Sequence, residues 1–133
     1  MEFKTIRVER EINGTKVKYM VPERAAFETM VQAAGIDSGK PIVIVPVGME
    51  VADVNDGMRL YWQFKLYGED QVAMLDGGMA AWLLEGKPFV KDALVARTGN
   101  WKSAADRSAR YFADSNEVAA IVEKKNIQLI DGR

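Results

Sequence analysis

The chain has 133 residues, of which 48% are hydrophobic and 28% charged, and its net charge is -1. That is enough for one ordinary domain with a real core, and the near-neutral balance carries no concentrated Lys/Arg footprint for nucleic acid or a membrane surface. It contains no cysteine and no histidine, which excludes a disulfide framework, a Cys/His zinc site and any Cys-His or Ser-His-Asp nucleophile.

Residues Met1 to Met20 alternate charged and apolar groups, with a turn signal at Asn13-Gly14, and read as an extended hairpin or a long loop. Met1-Glu2-Phe3-Lys4 has no signal-peptide core. No apolar run is long enough to span a bilayer. The compartment stays open, with the cytoplasm as the default. Pro22 suits the first turn of a helix, where its missing N–H is no loss. Phe27, Met30, Val31 and Ala34 then form one apolar stripe, and Gly35 is a natural stop.

Ile42 to Val45 is a β-branched run, expected to be a strand covered on both faces. A loop from Pro46 to Asp53 leads to a helix over about Val54 to Tyr67, stopped by Gly68. A second buried strand, Val72 to Leu75, precedes a short helix from about Gly78 to Leu84, closed by Gly86. Strand, helix and strand with a long crossover make a right-handed βαβ unit with parallel strands. From Phe89 to Asp114 the periodicity breaks down, and the segment reads as an ordered linker with Trp101 as a possible anchor. Ser115 can cap a helix reaching about Lys125, with Val118, Ile121 and Val122 inward, followed by a strand from Ile127 to Ile130.

The most specific element is Val72-Ala73-Met74-Leu75-Asp76-Gly77-Gly78-Met79-Ala80-Ala81-Trp82, closed by Glu85-Gly86-Lys87-Pro88. It resembles the signature of rhodanese-like sulfurtransferase domains, in which a buried strand runs into Leu-Asp-Gly-Gly and a Trp-bearing helix. Ile42-Val43-Ile44-Val45 is similar to the strand before the family's active-site loop. Gly57 to Gly68 resembles the helix after that loop in tandem-domain thiosulfate or 3-mercaptopyruvate sulfurtransferases. Many relatives carry a His after that Gly, where this chain has Glu69. Glu117-Val118 through Ile130-Asp131-Gly132-Arg133 resembles the opening of a further domain, where a strand ends in Asp-x-Arg.

The resemblance implies an α/β fold with a parallel central sheet flanked by helices, incomplete at both ends: Met1 to Met20 contain no Asp-x-Arg strand, and the last strand would be the first of a second domain whose remainder is absent. The implied division is 1–20 as a remnant extended segment, 21–90 as a partial rhodanese-like domain, 91–114 as an interdomain linker and 115–133 as the start of a second domain. In active relatives a Cys ends the first strand, and loop N–H groups stabilise its thiolate and persulfide. The alignment puts Pro46 at that nucleophile position. The resemblance thus implies the non-catalytic N-terminal part of a tandem sulfurtransferase, with sulfane sulfur moving from thiosulfate or 3-mercaptopyruvate to a thiophilic acceptor. Its implied partners are a second rhodanese domain in cis and a small sulfur-donor anion, with no nucleic acid, membrane, metal or cofactor.

The remaining candidates have plainer readings. Gly48 could help form an anion nest, but a turn is the simpler role. Arg59 could hold an anion over the loop, with a surface or interdomain ion pair as the default. Asp53, Asp56 and Asp76 read as helix-capping and turn residues. Tyr61, Trp62, Phe64 and Trp82 read as core, and Met20, Met30, Met58, Met74 and Met79 as core filler. The alternative function is a stand-alone, catalytically dead rhodanese module that binds a protein or an anion through Pro46 to Asp53. A carboxylate-based enzyme lacks any paired-carboxylate spacing. An incomplete domain also carries the expectation of exposed apolar surface.

Overall fold

A computed structural model describes residues 6–92 and 97–131. The chain opens with an antiparallel hairpin, β1 (Val8–Ile12) and β2 (Thr15–Met20), so the extended reading of this segment resolves as a hairpin. Asn13 and Gly14 both take positive φ, 50° and 77°, which is what a two-residue turn matched to strand twist requires.

Helix α1 (Arg24–Ala33) follows, with Glu23 as its N-cap residue, so Pro22 sits just outside the helix rather than in its first turn. The Pro22 carbonyl instead accepts a hydrogen bond from the Tyr67 hydroxyl. The predicted stripe is real: Phe27 and Val31 are fully buried, and Met30 packs against them.

Strands β3 (Ile42–Ile44) and β4 (Val72–Met74) pair in parallel, with Ile42 opposite Val72 and Ile44 opposite Met74. Helix α2 (Val51–Leu66) is the crossover between them, and α3 (Gly78–Leu84) leaves β4. The α/β reading with a parallel strand pair is therefore what the structure has. Coverage of both faces is not. Side chains alternate across a strand. Ile42, Ile44, Val72 and Met74 face α1 and α2, whereas Val43 and Val45 on the other face are 60% and 45% exposed. Among the described residues no element packs over that second face.

The core joins Phe27, Phe64, Leu66, Tyr67, Ile44 and Val72 to Trp101, which is 1% exposed. The Trp101 ring meets Phe27 and Phe64 edge-on, at centroid distances of 5.7 and 5.6 Å. That geometry sets the positive ring edge against the negative ring face. The residues around Trp101 are held by hydrogen bonds across the fold. Trp101 N donates to the Ile36 carbonyl at 3.1 Å, Gln32 Nε2 to the Trp101 carbonyl at 2.9 Å, and Arg107 N to the Leu66 carbonyl at 2.9 Å. The Ser103 hydroxyl donates to the Tyr67 carbonyl at 2.8 Å. Residues 97–107 are thus a strap that completes the core.

A short helix, α4 (Ser108–Tyr111), ends the strap, and Phe112 stacks edge-on against Trp62 at 5.4 Å. Helix α5 (Ser115–Lys124) is capped by Asp114, not Ser115; the Asp114 carboxylate accepts from the N–H groups of Asn116 and Glu117. The expected burial of Val118, Ile121 and Val122 fails, since α5 has no buried residue. The strand expected at Ile127 to Ile130 does not form either. Among the described residues its backbone meets no neighbouring edge, and a strand without a partner has nothing to hold its N–H and C=O groups. Met58 and Met79 are likewise exposed rather than core filler. No helix among the described residues is long and apolar enough to cross a membrane.

Candidate functional site

The C-terminal ends of β3 and β4 lie side by side, and two loops leave the sheet there. In an open parallel sheet this is where ligands bind, because helix N-termini and loop N–H groups converge. The β3 loop is shorter than expected, since α2 begins at Val51 and not near Val54. The cause is a reciprocal cap between Glu50 and Asp53, which starts the helix early.

Pro46 is buried at the start of this loop. Its carbonyl accepts from Met79 N at 2.8 Å, and the Val47 carbonyl accepts from Ala80 N at 2.9 Å, so the first turn of α3 is tied to the β3 loop. Two glycines make the approach possible. A Cβ on Gly48 (φ +80°) would sit 2.4 Å from the Gly77 carbonyl oxygen, and one on Gly78 (φ +61°) 2.4 Å from the Pro46 carbonyl oxygen. Gly48 therefore combines a turn with a close backbone contact that no side chain would permit.

The donors that follow Gly48 are taken. Met49 N and Glu50 N both donate to Asp53 Oδ2, at 3.0 and 3.1 Å. A carboxylate of the chain itself therefore takes both of these N–H groups. Asp53 is thus a cap, as its sequence position suggests. Asp56 is not; it pairs with Arg7 at 2.9 Å. Asp76 does not cap α3, whose N-cap residue is Gly77 in the left-handed region.

Arg59 lies two residues beyond Gly57, whose own face packs on Pro46 and Met74. Two residues turn a helix by about 200°, so Arg59 projects away from the loop. Its Nη2 donates to the Tyr19 carbonyl at 3.0 Å, and its guanidinium lies over Trp62 at 5.0 Å. Burial, with a smaller contribution from the nearby Arg7 charge, lowers its pKa. The structure does not bring Arg59 and Gly48 together. Among the aromatic residues, Phe64 is fully buried and Tyr61 and Trp62 pack on the core. Trp82 is half-buried and donates its indole N–H to the Pro88 carbonyl at 2.9 Å.

A shallow basin of 340 Å³ lies near the opposite, N-terminal end of β3, lined by Gly35, Asp37, Lys40, Val43 and Arg97 among others. Its charges satisfy one another: Asp37 pairs with Arg97 and Lys40. The Arg97 hydrogen bond is the main cause of the lowered Asp37 pKa. Residues that sequence reasoning passed over are Gln63, Ser103 and Asp70. Gln63 is fully buried and donates to the Ile6 carbonyl at 2.6 Å. Asp70 takes a two-point bond from Arg107 at 2.9 and 2.7 Å. Partners so distant along the chain leave no local sequence signal. Among the described residues no group of three or more acidic side chains is placed to hold a metal ion.

No family model matches the chain. Curated proteins do. It is 45% identical over 75 residues to a Mycobacterium bovis protein named "Putative thiosulfate sulfurtransferase 1", covering 55% of this chain and 25% of that protein. It is 41% identical over 68 residues to a similarly named Mycobacterium leprae protein, covering 50% and 24%. A thiosulfate sulfurtransferase of Bos taurus matches at 28% identity over 114 residues, covering 86% of this chain and 37% of the relative. With the strand–loop–helix–strand–helix arrangement above, these matches support a rhodanese-like family for the chain. It spans only a quarter to about two fifths of the relatives' length.

Proposed function

We propose that this chain is the non-catalytic N-terminal part of a tandem-domain sulfurtransferase that moves sulfane sulfur from thiosulfate or 3-mercaptopyruvate to a thiophilic acceptor. The observation that carries this reading is the buried Pro46 at the mouth of the β3 loop, in a chain with no cysteine. Proline offers neither a nucleophile nor an N–H, and the next donors are already committed to Asp53. The names of the relatives supply the sulfur-transfer chemistry. In this reading 1–20 is a remnant, 21–90 the partial domain, 91–114 the interdomain link, whose 97–107 part is strapped over the first domain's core, and 115–133 the opening of a cysteine-bearing second domain. Residues at the loop, Gly48 among them, would wall the cleft where the donor anion binds, and Arg59 would face the rest of the enzyme rather than the anion.

The test is the intact mass of the native product, detected in its source cells with an antibody to this segment. The expected product is well above 14.8 kDa and forms thiocyanate from thiosulfate and cyanide. A product at 14.8 kDa overturns the reading. It would leave the stand-alone inactive module, which the exposed Val45, Val47 and Met49 beside the loop also favour.

A further inference from the structure

The strap over the core carries a cation at every fifth residue, Arg97, Lys102 and Arg107, and each ends on a carboxylate from another part of the fold. Arg97 meets Asp37, Lys102 meets Glu28 at 3.1 Å and Arg107 meets Asp70 at 2.7 Å. The strap backbone joins the first two pairs. Asn100 N donates to Asp37 Oδ1 at 3.1 Å, and Ser103 N to Glu28 Oε1 at 3.0 Å. A further carboxylate, Glu69, accepts the Trp101 indole N–H at 3.1 Å.

Each of the three paired carboxylates also holds a second cation, from beneath the strap. Arg24 lies 3.6 Å from Glu28, Lys40 3.6 Å from Asp37 and Lys65 3.4 Å from Asp70. One arrangement therefore occurs three times: a cation of the underlying fold, a carboxylate, a cation of the strap. Neutralising the middle group does more than remove an attraction. It leaves two cations facing each other across the seam, where like charges repel. The hydrogen bond from the strap (Lys102, Arg97 and Arg107 in turn) is the main reason that the Glu28, Asp37 and Asp70 carboxyls titrate below the usual range. Tyr111, the other titratable group beside Arg107, is neutral in acid and does not offset the effect.

The layers under the strap are joined differently. Helices α1 and α2 and strands β3 and β4 meet through Phe27, Val31, Ile44, Phe64, Leu66 and Val72, none of which titrates. The pairs Arg7–Asp56 and Arg10–Glu23 tie down the β1–β2 hairpin instead.

We propose that residues 97–107 form an acid-released latch: protonation of Glu28, Asp37 and Asp70 frees the strap and uncovers the Phe27–Phe64 surface while α2, β3 and β4 stay folded. The strap's grip is fully present above the ordinary carboxylate pKa of about 4 and is lost as pH falls through the lowered values. Burial of Trp101 and its backbone bond to Ile36 do not titrate. They set how firmly the latch closes, and the carboxylates set the pH at which it yields. Glu28 and Asp37 dominate, because their side chains are 14% and 12% exposed, whereas Asp70 is 64% exposed and screened by water. The inference does not rest on the sulfurtransferase reading.

The experiment is residue-resolved amide exchange of the whole chain from about pH 7 to about pH 3, with each rate corrected for that of an unstructured chain. Protection at Gly99, Trp101 and Arg107 is expected to fall at least about tenfold further than at Phe64 and Leu75. Glu28→Gln and Asp37→Asn should each lower strap protection already at neutral pH and flatten its pH dependence, with Leu75 unchanged. Strap and sheet amides losing protection together at every pH would overturn the proposal. So would strap protection that is constant with pH, or amide variants that behave as the parent chain does. The pH series on the unaltered chain decides the matter even where a variant does not fold.

Discussion

The two faces of the β3–β4 sheet were built to different degrees. On one, Ile44 and Val72 meet Phe27, Phe64 and Trp101 in a packed aromatic core, sealed by a strap from a distant part of the chain. On the other, Val43 and Val45, which flank Ile44 along the same β-branched run, stand in solvent. A β-branched run therefore announces a strand but not how many of its faces are covered. Coverage depends on which helices the rest of the chain can bring to each side.

That contrast can be broken most forcefully at Trp101. Trp101→Ala removes the largest buried side chain and should cost about 3–5 kcal/mol, read as a lowered midpoint in urea unfolding. A loss under 1 kcal/mol would mean the strap is not part of the core. Gly48→Ala drives a methyl into the Gly77 carbonyl and forces a left-handed φ. It should cost about 1–3 kcal/mol and loosen the tie between the β3 loop and α3, seen as faster amide exchange at Met79 and Ala80.

Tyr67→Phe removes the hydroxyl bond to the Pro22 carbonyl, at about 1 kcal/mol near neutral pH. Burial pushes the Tyr67 pKa up to about 12, so the folded state holds a proton that the unfolded chain releases near pH 10. Stability should fall as pH rises from 10 towards 12, and Tyr67→Phe should flatten that fall in a thermal-melt series.

Asp70 carries the opposite sign. The Arg107 hydrogen bonds, then its charge and Lys65, hold its carboxyl well below the usual range. Its contribution is present above the ordinary carboxylate pKa and is lost as pH falls through the folded value. Asp70→Asn should reduce the acid dependence of the melting temperature below about pH 4. The pair is exposed, so the effect is small and weakens with salt. Smallest of all, Val43→Ala on the bare face should change monomer stability by no more than about 0.5 kcal/mol, measured in dilute solution.

The strands, the crossover helix, the α1 stripe and the Asp-Gly-Gly turn were legible because each is written in neighbours: β-branched runs, three- and four-residue spacing, glycine at a tight approach. The turn at Gly48 was legible for the same reason. Trp101 could be flagged as an anchor but not assigned to the core, since its partners Phe27, Phe64 and Glu69 lie far away in sequence. Capping was misplaced by one residue at Ser115 because Asp114 beside it also caps well. Ile127 to Ile130 has the residues of a strand, yet a strand is a relation between two segments and only one was in view.

The central functional claim is that this chain has no sulfur-transfer nucleophile of its own. Thiocyanate formation from thiosulfate and cyanide by the purified 133-residue chain tests it most directly. The account predicts no thiocyanate above the uncatalysed blank and no added sulfur mass on the protein after incubation with thiosulfate. Turnover, or a chain heavier by one sulfur atom, would contradict it and require a nucleophile that Pro46 and the cysteine-free sequence do not supply.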